Sequence, residues 1–144
     1  MPGMDAASRL ADPRQAEGLA PKLLYAVDAR LTRSSPVTSI TRLTSLAAAA
    51  VAAGRGHVLD TSHVIFPNGA ITLVLILAES HLSIHTWPEE DLIAIDLFSC
   101  GAIDGEAVIS GLTRSLRLDS VSIRTLRRGP WPDGAGRPGR PAGE

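Results

Sequence analysis

Cysteine is almost absent from this 144-residue chain, where Cys100 stands alone. One thiol cannot form an internal disulfide, so a reducing, cytoplasmic setting is expected. Aromatic residues are nearly as scarce, at 3% of the chain: Tyr25, Phe66, Trp87, Phe98 and Trp131. Charge is close to balanced, net −1, with no long basic run, which gives no support for a nucleic-acid footprint. Long hydrophobic runs are missing too. None approaches the roughly 20 residues that a membrane helix needs. Residues 1–21 lack the apolar segment of a signal peptide. No G-x-S-x-G nucleophile elbow surrounds Ser80, which weakens a serine-hydrolase reading.

What remains is a chain able to bury a core. Apolar residues make up 44% of it, and the mean hydropathy is +0.13. One domain is expected at this length. Residues 1–21 mix Pro, Gly, Asp and Arg without periodicity and read as a flexible segment. Residues 129–144 hold five glycines and four prolines, too polar and irregular to offset ordering entropy, and read as a disordered tail. The domain is then 22–128. Within it, Leu23 to Val27 reads as a strand and Thr41 to Ala53 as a helix. That helix would be capped by Thr38 or Ser39 and stopped by Gly54. Strands follow at 57–66, 71–78, 81–86 and 92–98, with a turn at Pro67-Asn68-Gly69. Val108, Ile109, Leu112 and Leu116 fall at helical spacing within 105–116, and 120–126 reads as a last strand. The order β-α-β-β-β-β-α-β predicts an α+β two-layer sandwich, a mainly antiparallel sheet with helices on one face.

The densest chemistry lies at Glu79-Ser80-His81-Leu82-Ser83-Ile84-His85-Thr86-Trp87-Pro88-Glu89, just after the apolar run Leu73 to Ala78. In a strand, His81, Ser83 and His85 share one face and Leu82, Ile84 and Thr86 the other. A metal held by both His81 and His85 conflicts with this geometry. Four residues of strand separate them by about 13 Å, whereas metal–nitrogen bonds are about 2 Å. Spacing alone leaves two readings open: merely polar strand residues, or a reactive site. Cys100, by itself, reads first as a small buried hydrophobe rather than a reactive thiol.

ESHLSIHTWPE, followed by Asp96-Leu97-Phe98-Ser99-Cys100-Gly101, resembles the prokaryotic S-adenosylmethionine decarboxylase proenzymes. The likeness is dense over 79–101 and recognisable from about residue 57. It implies a peptide bond that breaks itself. Ser80 would attack the carbonyl of Glu79, and the resulting ester would eliminate. Ser80 would end as a pyruvoyl group, a covalent carbonyl cofactor, with β and α chains of residues 1–79 and 80–144. By the same resemblance, His85 and the hydroxyl of Thr72 assist processing. The substrate amine forms a Schiff base with the pyruvoyl ketone, carbon dioxide leaves, and Cys100 donates the proton that completes the product. An ordinary thiol, with pKa about 8.5, is still mostly protonated at pH 7, as a donor must be.

The resemblance also implies that Phe66 stacks on adenine and that Glu89 binds the ribose, with Trp87 beside them. Polyamine (spermidine) biosynthesis would be the setting. The expected partners are a small cationic substrate and a second copy of the chain, in a homodimer of processed protomers. No metal, membrane or nucleic acid is expected. Three departures fall in the substrate region: few aromatics, Val64-Ile65-Phe66 in place of the usual His-Arg-Phe, and a turn whose Pro and Gly are displaced by one. They keep open a relative that decarboxylates ornithine or arginine. A further alternative is an unprocessed paralogue that only binds. His81 and Ser83 receive no role.

Overall fold

The computed structural model describes residues 21–129. The expected flexible segment 1–21 and tail 129–144 therefore lie, save for Pro21 and Gly129, outside the described residues. Six strands form one sheet: β1 (Lys22–Arg30), β2 (Val58–Ile65), β3 (Ile71–Leu77), β4 (Ser80–Trp87), β5 (Leu92–Ser99) and β6 (Asp119–Arg128). Two helices interrupt them, α1 (Ile40–Ala53) and α2 (Gly105–Ser115). Every pairing is antiparallel, in the order β2-β3-β4-β5-β1-β6. This is the α+β sandwich that the element order predicts.

The strands form from runs rich in β-branched residues and leucine, and along β3 and β5 burial alternates from one residue to the next. Ile71, Leu73, Leu75 and Leu77 of β3 are buried, as are Leu82 and Ile84 of β4 and Ile93, Ile95 and Leu97 of β5. These side chains share one face and join Tyr25, Val27 and Ala29 of β1 in a single core. The helices cover that face. In α1 the buried stripe is Leu43, Ala47, Ala50 and Val51, and in α2 it centres on Val108, Ile109 and Leu112. Each helix starts on a side-chain cap. Ser39 Oγ accepts from the Arg42 N–H, and Asp104 Oδ1 accepts from the Ala107 N–H. Burial raises the pKa of the Tyr25 phenol, and the nearby carboxylates of Glu106 and Asp104 raise it further.

The opposite face of the sheet has no helix. It carries Thr72, Val74 and Ile76 from β3, His81, Ser83, His85 and Trp87 from β4, and Asp96 and Phe98 from β5. Val64, Ile76, Trp87 and Leu126 are exposed. Both edge strands, β2 and β6, are exposed along their whole length.

The expected Pro67-Asn68-Gly69 turn closes the β2–β3 hairpin. The Phe66 N–H donates to the Ala70 carbonyl at 2.8 Å, and Gly69 takes the positive φ, +87°, that glycine permits. Gly54 ends α1 as expected, and its lack of a side chain matters more than its torsion angles. The Asp104 N–H donates to the Gly54 carbonyl at 2.8 Å, drawing the start of α2 onto the end of α1. A Cβ at position 54 would overlap Val108 Cγ2 and come within 2.8 Å of the Asp104 carbonyl oxygen. Because that neighbour is backbone, the helices would have to separate. Gly54→Ala is expected to destabilise the fold by about 1–3 kcal/mol, measured by urea denaturation. An unchanged midpoint would show that the helix pair can give way.

Candidate active site

Strand register decides which of the chemistry-bearing residues meet. The β4–β5 register pairs His81 with Phe98. Two residues beyond that pair along each strand, Glu79 comes opposite Cys100. The Cys100 thiol donates to the Glu79 carbonyl oxygen at 3.1 Å, and Cys100 is only 5% exposed. That carbonyl belongs to the Glu79–Ser80 peptide bond. Ser80 follows with φ +148°, a conformation residues with side chains rarely adopt. Strain of this kind is worth about 1–3 kcal/mol and persists only where the surroundings enforce it. A polarised carbonyl and a strained hydroxyl residue thus share one peptide bond.

Glu79 is itself held. Its Oε1 accepts from the His57 backbone N–H at 2.8 Å, and its Oε2 lies 2.9 Å from His57 Nδ1. His57 carries no signal in the sequence, being an isolated histidine 22 residues away, just before β2.

The second group lies at the other end of β4. The β3–β4 register pairs Thr72 with His85, and Thr72 Oγ1 and His85 Nδ1 share a hydrogen bond of 3.2 Å. The His85 and Trp87 rings lie 6.2 Å apart. Asn68 Nδ2 donates to Glu89 Oε2 at 3.2 Å. Phe66, Thr72, His85, Trp87 and Glu89 line one cleft of about 540 Å³ together with Asn68. Asn68, from the hairpin turn, is a member of this group that sequence reasoning reads only as a turn residue.

Within one chain the two groups stay apart. Five residues of β4 separate Ser80 from His85, about 16 Å at roughly 3.3 Å per residue. The structure therefore joins Glu79, Ser80 and Cys100, and separately Phe66, Thr72, His85, Trp87 and Glu89. It does not bring the second set to the Glu79–Ser80 bond of the same chain. His81 and Ser83 lie between them. The Ser83 hydroxyl points to Asp96 Oδ2 at 3.5 Å, and the His81 ring lies 6.0 Å from that of Phe98. The two histidines of β4 thus have separate neighbours. Among the described residues no three His, Cys, Asp or Glu side chains converge as metal ligands would. None of the described helices is long and apolar enough to cross a membrane.

A family profile described as S-adenosylmethionine decarboxylase matches residues 24–129. The chain belongs to that family. The S-adenosylmethionine decarboxylase proenzyme of Thermoplasma volcanium is 37% identical over 107 residues, covering 73% of this chain and 78% of its own. Proenzyme 2 of Bacillus anthracis is 39% identical over 74 residues, and the match spans 51% of this chain and 60% of that relative's length. The fold likewise matches the crystal structure of the adenosylmethionine decarboxylase of Aquifex aeolicus, with a TM-score of 0.70. The two are 22% identical, and the match covers 82% of this chain and 98% of the other. The resemblance seen in ESHLSIHTWPE is thus a family relationship. In this S-adenosylmethionine decarboxylase family member, the apolar face of the sheet supplies the scaffold and the bare face carries most of the polar chemistry.

The strain at Ser80 can be measured. Ser80→Ala keeps a Cβ in the unfavourable conformation, and Ser80→Gly removes it. Neither has a hydroxyl at position 80, so both are compared as whole chains. The glycine variant is expected to be the more stable by about 1 kcal/mol, after allowing for the greater freedom of glycine when unfolded. Thermal denaturation of the pair checks this, and an alanine variant as stable as the glycine one would mean that Ser80 is relaxed.

Proposed function

We propose that residues 22–128 form a self-processing, pyruvoyl-dependent decarboxylase that converts S-adenosylmethionine to decarboxylated S-adenosylmethionine for polyamine (spermidine) synthesis. The observation that carries the reading is the Cys100 thiol on the Glu79 carbonyl, next to a Ser80 at φ +148°. A pyruvoyl group made from the chain needs a hydroxyl residue whose preceding carbonyl is polarised, and Glu79–Ser80 fits that need.

Cleavage follows from the groups present. Ser80 Oγ attacks the Glu79 carbonyl carbon, the C–N bond breaks, and an ester replaces the amide. The thiol hydrogen bond stabilises charge on the carbonyl oxygen as the tetrahedral centre forms. Loss of the Ser80 α-proton then expels Glu79 as a free carboxylate and leaves dehydroalanine. Water converts that residue to the pyruvoyl group with release of ammonia. The pyruvoyl carbonyl supplies an electron sink for the bond broken when carbon dioxide leaves. Cys100 holds a proton on Sγ and gives it to the substrate carbon left behind. Keeping that lone thiol reduced suits the cytoplasm.

Substrate recognition falls to the cleft. The exposed ring of Phe66 offers a stacking surface for adenine, and Trp87 offers a second aromatic face nearby. Glu89, held by Asn68, offers carboxylate oxygens to ribose hydroxyls. A bare amino acid such as ornithine or arginine has no use for the stacking ring.

The distance from Ser80 to His85 calls for a second copy. Two chains facing through the helix-free side of the sheet would bring the Thr72–His85 pair of one to Ser80 and Cys100 of the other. The exposed apolar residues of that side, Val64, Ile76, Trp87 and Leu126, support such pairing. The protein would then be a homodimer with two composite sites, and His85 would handle protons during cleavage in its partner.

Intact mass is the direct test. Two fragments meeting between 79 and 80, the second carrying a pyruvoyl mass, are expected, whereas a whole chain would point to a paralogue that only binds. Ser80→Ala should abolish cleavage and carbon dioxide release alike. Cys100→Ala should still cleave, more slowly, and lose normal protonation. Decarboxylation is expected on S-adenosylmethionine and not on ornithine or arginine offered side by side, and the reverse preference would move the substrate. Co-expressing Ser80→Ala with His85→Ala tests the composite site. The His85→Ala chain, uncut alone, should be cut when paired with the other. If it stays whole, each chain processes itself.

A further inference from the structure

Glu79 is the one charged side chain that is buried among the described residues, at 3% exposure. Burying a carboxylate is costly unless donors replace water, and His57 supplies them. Its backbone N–H donates to Oε1 at 2.8 Å, and its Nδ1 lies 2.9 Å from Oε2. The Ala78 N–H returns a bond to the His57 carbonyl at 2.9 Å. Three hydrogen bonds thus tie the two-residue turn Ala78-Glu79 to a single residue outside the β3–β4 hairpin. The imidazole is otherwise open to solvent, with 56% of its side chain exposed.

Such a pair adds little to stability. Replacing the whole pair by apolar residues of similar size would change stability little, because the desolvation cost of a buried ion pair largely cancels its attraction. Its value lies in orientation. Two-residue hairpin loops favour residues that accept a positive φ, typically glycine or asparagine. Ala78 and Glu79 have neither identity, and neither takes a positive φ. The positive φ falls instead on Ser80, just past the turn. A turn without its own favourable residues must be held from outside, and here the holder is His57.

We infer that His57 is a positioning residue for self-cleavage. It grips the Glu79 side chain so that the adjoining carbonyl stays on the Cys100 thiol and Ser80 stays strained. It exchanges no proton and forms no bond with the reacting atoms. This inference rests on the reading of Glu79–Ser80 as the bond that breaks.

The test follows the rate at which newly made full-length chain splits, by denaturing electrophoresis and intact mass. His57→Leu and His57→Asn are nearly the same size, but only asparagine places an N–H donor near the position of Nδ1. His57→Leu is expected to slow cleavage about tenfold or more, the usual weight of a hydrogen bond to a charged group. His57→Asn should recover to within about threefold of wild type. In the pair His57→Leu and Glu79→Gln, the double variant should be no slower than the slower single one, because both act through one contact. Losses that multiply in the double variant would overturn the inference, as would an asparagine variant no faster than the leucine one. Wild-type cleavage with an equally fast His57→Leu variant would sink the inference alone. A wild-type chain that stays whole would sink the decarboxylase reading with it.

Discussion

Antiparallel register is the constraint on which the chemistry of this molecule depends. Pairing His81 with Phe98 sets Glu79 opposite Cys100, and pairing His85 with Thr72 puts an imidazole beside a hydroxyl. A slip of one residue on β4 would turn its polar side chains into the core and its leucine and isoleucine into solvent. The register is therefore enforced by burial. Leu82 and Ile84 on β4 and Leu73 and Leu75 on β3 are fully enclosed beneath the helices. The apolar face of the sheet thus sets atomic distances for a polar face that it never touches.

That enforcement explains how an unfavourable backbone can persist at Ser80. The core fixes β4 from Leu82 onward, and the His57–Glu79 pair fixes the chain just before it. Ser80 sits between two anchored segments and cannot relax without disturbing one of them. A strained peptide bond between rigid supports suits a reaction that begins with attack by the neighbouring hydroxyl, since the supports are paid for once, in the folding of the core. The same view separates the roles of the two carboxylates near the site. Glu79 is buried and held by two donors from one residue, whereas Glu89 lies exposed at a cleft with one hydrogen bond from Asn68.

Much of this architecture is legible in the amino-acid sequence. Element order follows from the β-branched and leucine-rich run at 71–78, the alternation in 81–86, the helical stripe around Val108 and Leu112, and the turn signals at Gly54 and Gly69. The division of β4 into two faces follows from its period of two. Strand ends differ by a few residues, as with β1, which extends to Arg30 because its hydrogen bonds to β5 continue past the last strongly apolar position. The insertion of β1 between β5 and β6 is not legible, because no local pattern says which distant strand fills a gap. His57 is not legible for the same reason: one polar residue far along the chain carries no periodic signal. The separation of Ser80 from His85 could have been read from strand rise alone, by the same arithmetic that argues against a metal on His81 and His85.

Scarcity of aromatic residues sharpens the case for a site shared by two chains. A planar base is held best between surfaces on both sides, yet few rings are available here, and Phe98 is engaged elsewhere. Its ring neighbours His81, and the Arg128 guanidinium lies 5.7 Å from its centre. On the proposed reading, Phe66 and Trp87 would carry the stacking surface of the cleft, and both are exposed in a single chain. Leaving such rings in water is unfavourable unless something covers them. In the proposed pair of chains, the helix-free face of a second copy would cover the cleft, desolvate the rings, and bring a Ser80–Cys100 end toward the bound sulfonium. Each chain would then supply what the other lacks: one the reactive carbonyl and its proton donor, the other the recognition surface and the Thr72–His85 pair. On this reading the bare face of the sheet is both the dimer contact and the wall of the site, so a substitution there would alter assembly and substrate binding together.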